Sequence, residues 1–102
     1  MKHDKYIQIE LQNHYRQISK WFNDLKSNAN TEKFDAETLE RYNKLSNDYD
    51  NYLVSAQRKI NCFGSDFIGK NFNQQFDEVI QLFTRARNIY NEVYEIIYIT
   101  SA

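Results

Sequence analysis

From residue 72 to residue 97 one series of alternating four- and three-residue steps meets an apolar side chain at every position: Phe72, Phe76, Val79, Phe83, Ala86, Tyr90, Val93 and Ile97. That spacing gathers all eight on one stripe of an α-helix, whereas a strand would scatter them over both faces. A long helix is thus required here, and whatever else folds must cover its stripe. Two earlier segments share the period. One reads Ile7, Leu11, His14, Ile18, Trp21 and Leu25. The other reads Tyr42, Leu45, Tyr49, Tyr52 and Ala56, is interrupted by Lys59, and is flanked by Leu39, Leu53 and Ile60.

Backbone breakers are scarce. Proline is absent, and the two glycines, Gly64 and Gly69, fall between the second and third segments, where they are expected to make a helix-to-helix turn. The stretch SNANTEKFD (27–35) is rich in residues whose side chains compete with helix by bonding nearby backbone, and it is read as a loop ending in an N-cap. One continuous, kinked helix through both early segments is the alternative. The expectation is an all-α single domain with helices at about 5–26, 36–62 and 70–99, forming a helical hairpin or an antiparallel three-helix bundle of long, coiled-coil-like helices.

Charge narrows the partners. Thirteen Lys and Arg against fourteen Asp and Glu leave a net charge of −1, and no basic run marks a nucleic-acid surface. The start, MKHDKYIQIELQ, lacks the apolar core of a signal peptide, and no stretch approaches a membrane span. A cytoplasmic protein is expected, with export open only by a route that cleaves no signal. Cys62 is the single cysteine, so no internal disulfide forms and a reducing compartment fits.

Candidate chemistry falls away on inspection. CFGSDFIGKNF (62–72) carries the G-x-x-x-x-G-K spacing of a phosphate loop, yet Asn71 stands where the magnesium-binding hydroxyl belongs. Asp66 also puts negative charge in the cradle, and the preceding segment is helical rather than a strand. Glu10 and His14 lack matching ligands on another helix, so no metal is expected. Cys62 and Ser65 have no neighbouring base. Arg85 and Arg87 read as a solvated helix face near Asp77 and Glu92. No enzyme, no cofactor and no small-molecule substrate are expected. Trp21, on the stripe, is assigned to the core, and Phe22 is left open.

The surplus lies on the third helix. Leu82, Ile89 and Ile96 widen its apolar arc on one side, with Ile80 and Tyr94 on the other, beyond what one neighbour covers. Phe72, Phe76, Ile80, Leu82, Ile89, Tyr94 and Ile96 are therefore the candidate partner-binding residues, for another helical protein or a second copy.

The C-terminal part resembles the small helical Trp-x-Gly proteins of ESX-like type VII secretion systems. Cys62-Phe63-Gly64 stands at the turn, and Phe72, Phe76 and Ile80 open the second arm. Cys62 replaces the tryptophan, and the Tyr-x-x-x-Asp/Glu export signal beyond the second arm is absent, since Tyr90 leads to Tyr94 and Tyr94 to Tyr98. The resemblance implies an accessory role: an adaptor or chaperone for a secreted LXG-type toxin or a sister subunit. A phage-encoded or immunity-type inhibitor that blocks another protein is the alternative.

Overall fold

The computed structural model describes residues 2–62 and 72–100 and consists of three antiparallel helices. Helix α1 spans Lys2–Ser27, a short 3₁₀ turn covers Thr31–Lys33, and α2 spans Ala36–Asn61 and α3 Phe72–Thr100. The all-α bundle is the one the spacing predicts, and α1 and α2 are separate helices. Gly64 and Gly69 lie outside the described residues.

Helix α1 stops where its own side chains compete for its carbonyls. The Ser27 hydroxyl donates to the Asp24 carbonyl at 2.6 Å, and the Asn28 amide donates to the same oxygen at 3.2 Å. Helix α2 starts at an extended Asp35, whose carboxylate accepts the Thr38 N–H at 2.7 Å. That bond holds the Asp35 carboxyl below its ordinary value. A depressed carboxyl stabilises the fold above its unfolded pKa and loses that contribution as the pH falls through the folded one. We expect Asp35→Ala to lower the melting temperature at pH 7. The gap between wild type and Asp35→Asn should narrow as the pH falls below about 4, the ordinary carboxyl range, in a melting series from pH 6 to 3.

The α2–α3 seam carries most of the packing. Tyr49, Leu53, Ala56 and Ile60 meet Val79, Phe83, Ala86 and Val93, all buried, and alanine on both sides lets the backbones approach. Across the edges of the seam Lys59 reaches Glu78 at 3.1 Å, Arg85 lies over the Tyr52 ring at 5.9 Å, and Arg41 comes within 3.9 Å of Glu92. Arg85 and Arg87 are both exposed, as the solvated-face reading has it, with Glu92 near Arg41 and Arg85 at the Tyr52 ring. Lys59, the interruption in the α2 stripe, sits at the seam edge, and Ile60 takes the core position.

Helix α1 joins through fewer apolar anchors. Leu11, Ile18, Phe22 and Leu25 are buried. Phe22 stacks on Tyr49 with ring centroids 3.7 Å apart, and the Tyr49 hydroxyl donates to the Ile18 carbonyl at 2.8 Å. Toward its N-terminus polar contacts take over. The Gln8 amide donates to the Ile60 carbonyl at 2.7 Å, an acceptor in the last turn of α2, and Gln12 and Gln57 exchange amide hydrogen bonds of 3.1 and 3.3 Å.

One sequence expectation for α1 is corrected, the assignment of Trp21 to the core. Trp21 is 50% exposed whereas Phe22 is 1% exposed, and His14 is likewise exposed. The inward series is Leu11, Tyr15, Ile18, Phe22 and Leu25, which shares three positions with the predicted one and turns His14 and Trp21 to the side. The molecule measures 51 × 21 × 15 Å, a slab rather than a sphere. Its radius of gyration of 16.2 Å exceeds the ~13 Å typical of a compact chain of about 100 residues.

Candidate functional site

The side to which His14 and Trp21 turn is an open groove of about 440 Å³ between α1 and α3, with Tyr49 of α2 at its floor. Helix α1 contributes His14, Ile18 and Trp21; α3 contributes Ile80, Phe83, Thr84, Arg87, Tyr90 and Asn91. It exists because α2 separates the other two helices along this edge. Phe22 and Ile18 follow Tyr49 and the stripe of α3 follows α2, so α1 and α3 meet each other less than either meets α2. The His14 ring meets Phe83 edge-on at 5.0 Å, which sets the level of α1 against α3.

The α3 wall is a second stripe, displaced by one residue from the core stripe: Ile80, Thr84, Arg87, Asn91, Tyr94 and Tyr98. Each lies one position after a member of the series Val79, Phe83, Ala86, Tyr90, Val93 and Ile97. Beyond the groove the stripe becomes an aromatic ladder. Tyr90 and Tyr94 are 6.5 Å apart between centroids and Tyr94 and Tyr98 4.5 Å, with Tyr94 48% and Tyr98 49% exposed.

The polar groups on the walls are few and unequal. The Thr84 hydroxyl donates to the Ile80 carbonyl at 2.9 Å, so its proton is held by its own helix. Arg87 has no ion pair among the described residues and is the permanent charge on the lining. Burial, aided by the charges of Tyr90 and Asp50, pushes the Tyr49 phenol well above its ordinary value, so the floor stays neutral. Such walls offer apolar contact area and one cationic anchor, and they lack an aligned nucleophile and base. Among the described residues no group of three potential metal ligands occurs.

The candidate partner-binding residues divide between this edge and the interior. Ile80 and Tyr94 are exposed on the groove side. Ile89, 7% exposed, and Ile96, 6% exposed, lie in the core, and Leu82 and Phe76 pack against it half-buried. The Leu82/Ile89/Ile96 flank is therefore covered by the chain's own helices and is not a free face. The side chain of Phe72 lies outside the described residues. Sequence reasoning passed over Trp21, Arg87 and Tyr98 as binding residues; the signal for two of them was the repeat of the core spacing one residue later.

No helix among the described residues is long and apolar enough to cross a membrane. Comparison with protein-family models, curated proteins and solved structures finds no match to this chain.

Proposed function

We propose that the chain is a non-catalytic helical adaptor or chaperone whose α1–α3 groove receives a helix of a partner protein. The carrying observation is the coincidence of an open groove between two parallel helices, lined by exposed Trp21, with exposed Tyr94 and Tyr98 beyond its end on the same stripe of α3. A helix laid there would turn three helices into a four-helix arrangement, and helix-in-groove recognition uses apolar anchors at this kind of spacing. Tryptophan, tyrosine and arginine are also the residues that dominate binding energy when buried at an interface. A type VII secretion toxin or a sister subunit is the partner class implied by the resemblance at the 62–72 turn, whose residues 63–71 lie outside the described set.

A photo-crosslinking residue at position 21 tests the reading against one at Val54, which is exposed on α2. The position-21 protein, expressed in its native host, should form an adduct that maps to a helical segment of another protein and disappears with Tyr94→Asp. Adducts of equal yield from both positions, or adducts indifferent to Tyr94→Asp, would refute the groove as the docking site.

A further inference from the structure

Resting on the reading of the α1–α3 edge as a binding face, we infer that the free chain closes this face with a second copy of itself, α3 against α3, antiparallel about a two-fold axis level with Ile89. The exposed stripe is self-complementary in that register. Ile80 falls opposite Tyr98, Thr84 opposite Tyr94, and Arg87 opposite Asn91. Each bulky ring meets a smaller side chain, and the guanidinium near the axis meets an amide acceptor.

Hydrogen-bonding complementarity supports the same register. His14 lies level with Phe83, and the position opposite Phe83 across the axis is Glu95 of the second copy. Glu95 is exposed and has no ion pair among the described residues, so an imidazole and a carboxylate are brought to one place. Other registers oppose unlike chemistry. A parallel in-register pair sets Arg87 against Arg87. An antiparallel slide of one heptad toward the N-terminus sets Tyr94 against Asp77 and Tyr98 against Asn73, and a slide the other way carries Ile80 past the end of α3 at Thr100.

The area available suits a stable pair. Half-exposed Trp21, Tyr94 and Tyr98 from both copies contribute roughly 600 Å² on the scale of large aromatic side chains. That is about half of the roughly 1,200 Å² at the lower end for a specific interface, with the helix walls supplying more. A net charge of −1 adds little mutual repulsion.

Sedimentation velocity of the full chain at tens of micromolar should show a species of about twice the 12.3 kDa chain mass. Tyr94→Asp with Tyr98→Asp should raise the dissociation constant at least 100-fold, with helical circular dichroism preserved. Register is read by oxidation in a Cys62→Ser background. A mixture of Thr84→Cys and Tyr94→Cys chains should form the mixed disulfide, while either chain alone should not, because ten helical residues separate like positions by about 15 Å. A monomer at every concentration, a dimer indifferent to the tyrosine changes, or efficient self-linking of either cysteine chain would overturn the proposal. A monomer that still crosslinks a foreign helix from position 21 removes self-pairing alone and leaves the adaptor reading standing; a dimer with no foreign adduct removes the adaptor reading alone.

Discussion

In the unpaired chain at low concentration, Phe22→Ala will lower the melting temperature by more than 10 °C, whereas Trp21→Ala, one residue away, will leave it nearly unchanged. Phe22 is almost fully buried and lies 3.7 Å from Tyr49 between ring centroids. Truncating a buried phenylalanine costs about 3 to 5 kcal/mol through lost transfer energy and the cavity left behind. In a domain of this size each kcal/mol moves the midpoint by about 4 to 8 °C. Trp21 has half its surface in water and holds up no neighbour in the core, so its removal should cost no more than about 0.5 kcal/mol, as at other surface sites. Thermal melts followed by circular dichroism decide this pair, and equal losses at the two sites would contradict the placement of α1.

Ile89→Asp will abolish cooperative folding, while Tyr94→Asp, compared at concentrations low enough that the wild-type chain is unpaired, will leave helix content and melting temperature close to wild type. Both were candidates for one partner face. The structure buries Ile89 and exposes Tyr94, five residues further along α3. Placing a carboxylate at Ile89 forfeits about 1.5 to 3 kcal/mol of burial and adds the cost of an unpaired charge in an apolar site. Together these consume most of the stability expected of a domain of this size, about 5 to 15 kcal/mol. At Tyr94 of the unpaired chain the new carboxylate stays in water. Circular dichroism and urea titration of the two variants separate the flank that folds the chain from the flank offered to a partner.

How much of this was legible in the sequence depends on the range of the interaction that decides each feature. The N-cap at Asp35 is decided within four residues and could be read directly. The α3 stripe could be read because its eight apolar positions admit one phase. In α1 two series, through His14 and Trp21 or through Tyr15 and Phe22, share Leu11, Ile18 and Leu25, and each is rich in rings. What decides between them is Tyr49, 27 residues beyond Phe22, which stacks on Phe22 and bonds the Ile18 carbonyl. The flanks of α3 pose the same problem. Ile80 is as apolar as Leu82, Ile89 and Ile96, so which flank is covered follows from how the helices dock, a property of the assembled bundle. The groove was hidden for the same reason, because it is bounded by two helices that are not neighbours in sequence.

The glutamine contacts at the start of α1 bear on how this bundle opens. Gln8 and Gln12 flank the buried Leu11, and the hydrogen bonds they make to α2 add little to that anchor, because an intramolecular hydrogen bond contributes only about 0.5 to 1.5 kcal/mol beyond the one it displaces. Below that point the ring stack of Phe22 on Tyr49 holds the helix. The turns of α1 before Leu11 are therefore the most weakly held part of the bundle, and opening them should cost less free energy than unfolding the whole. The α1 wall of the groove, His14, Ile18 and Trp21, lies beyond those turns, on the part of the helix that Leu11, Ile18 and Phe22 hold in place.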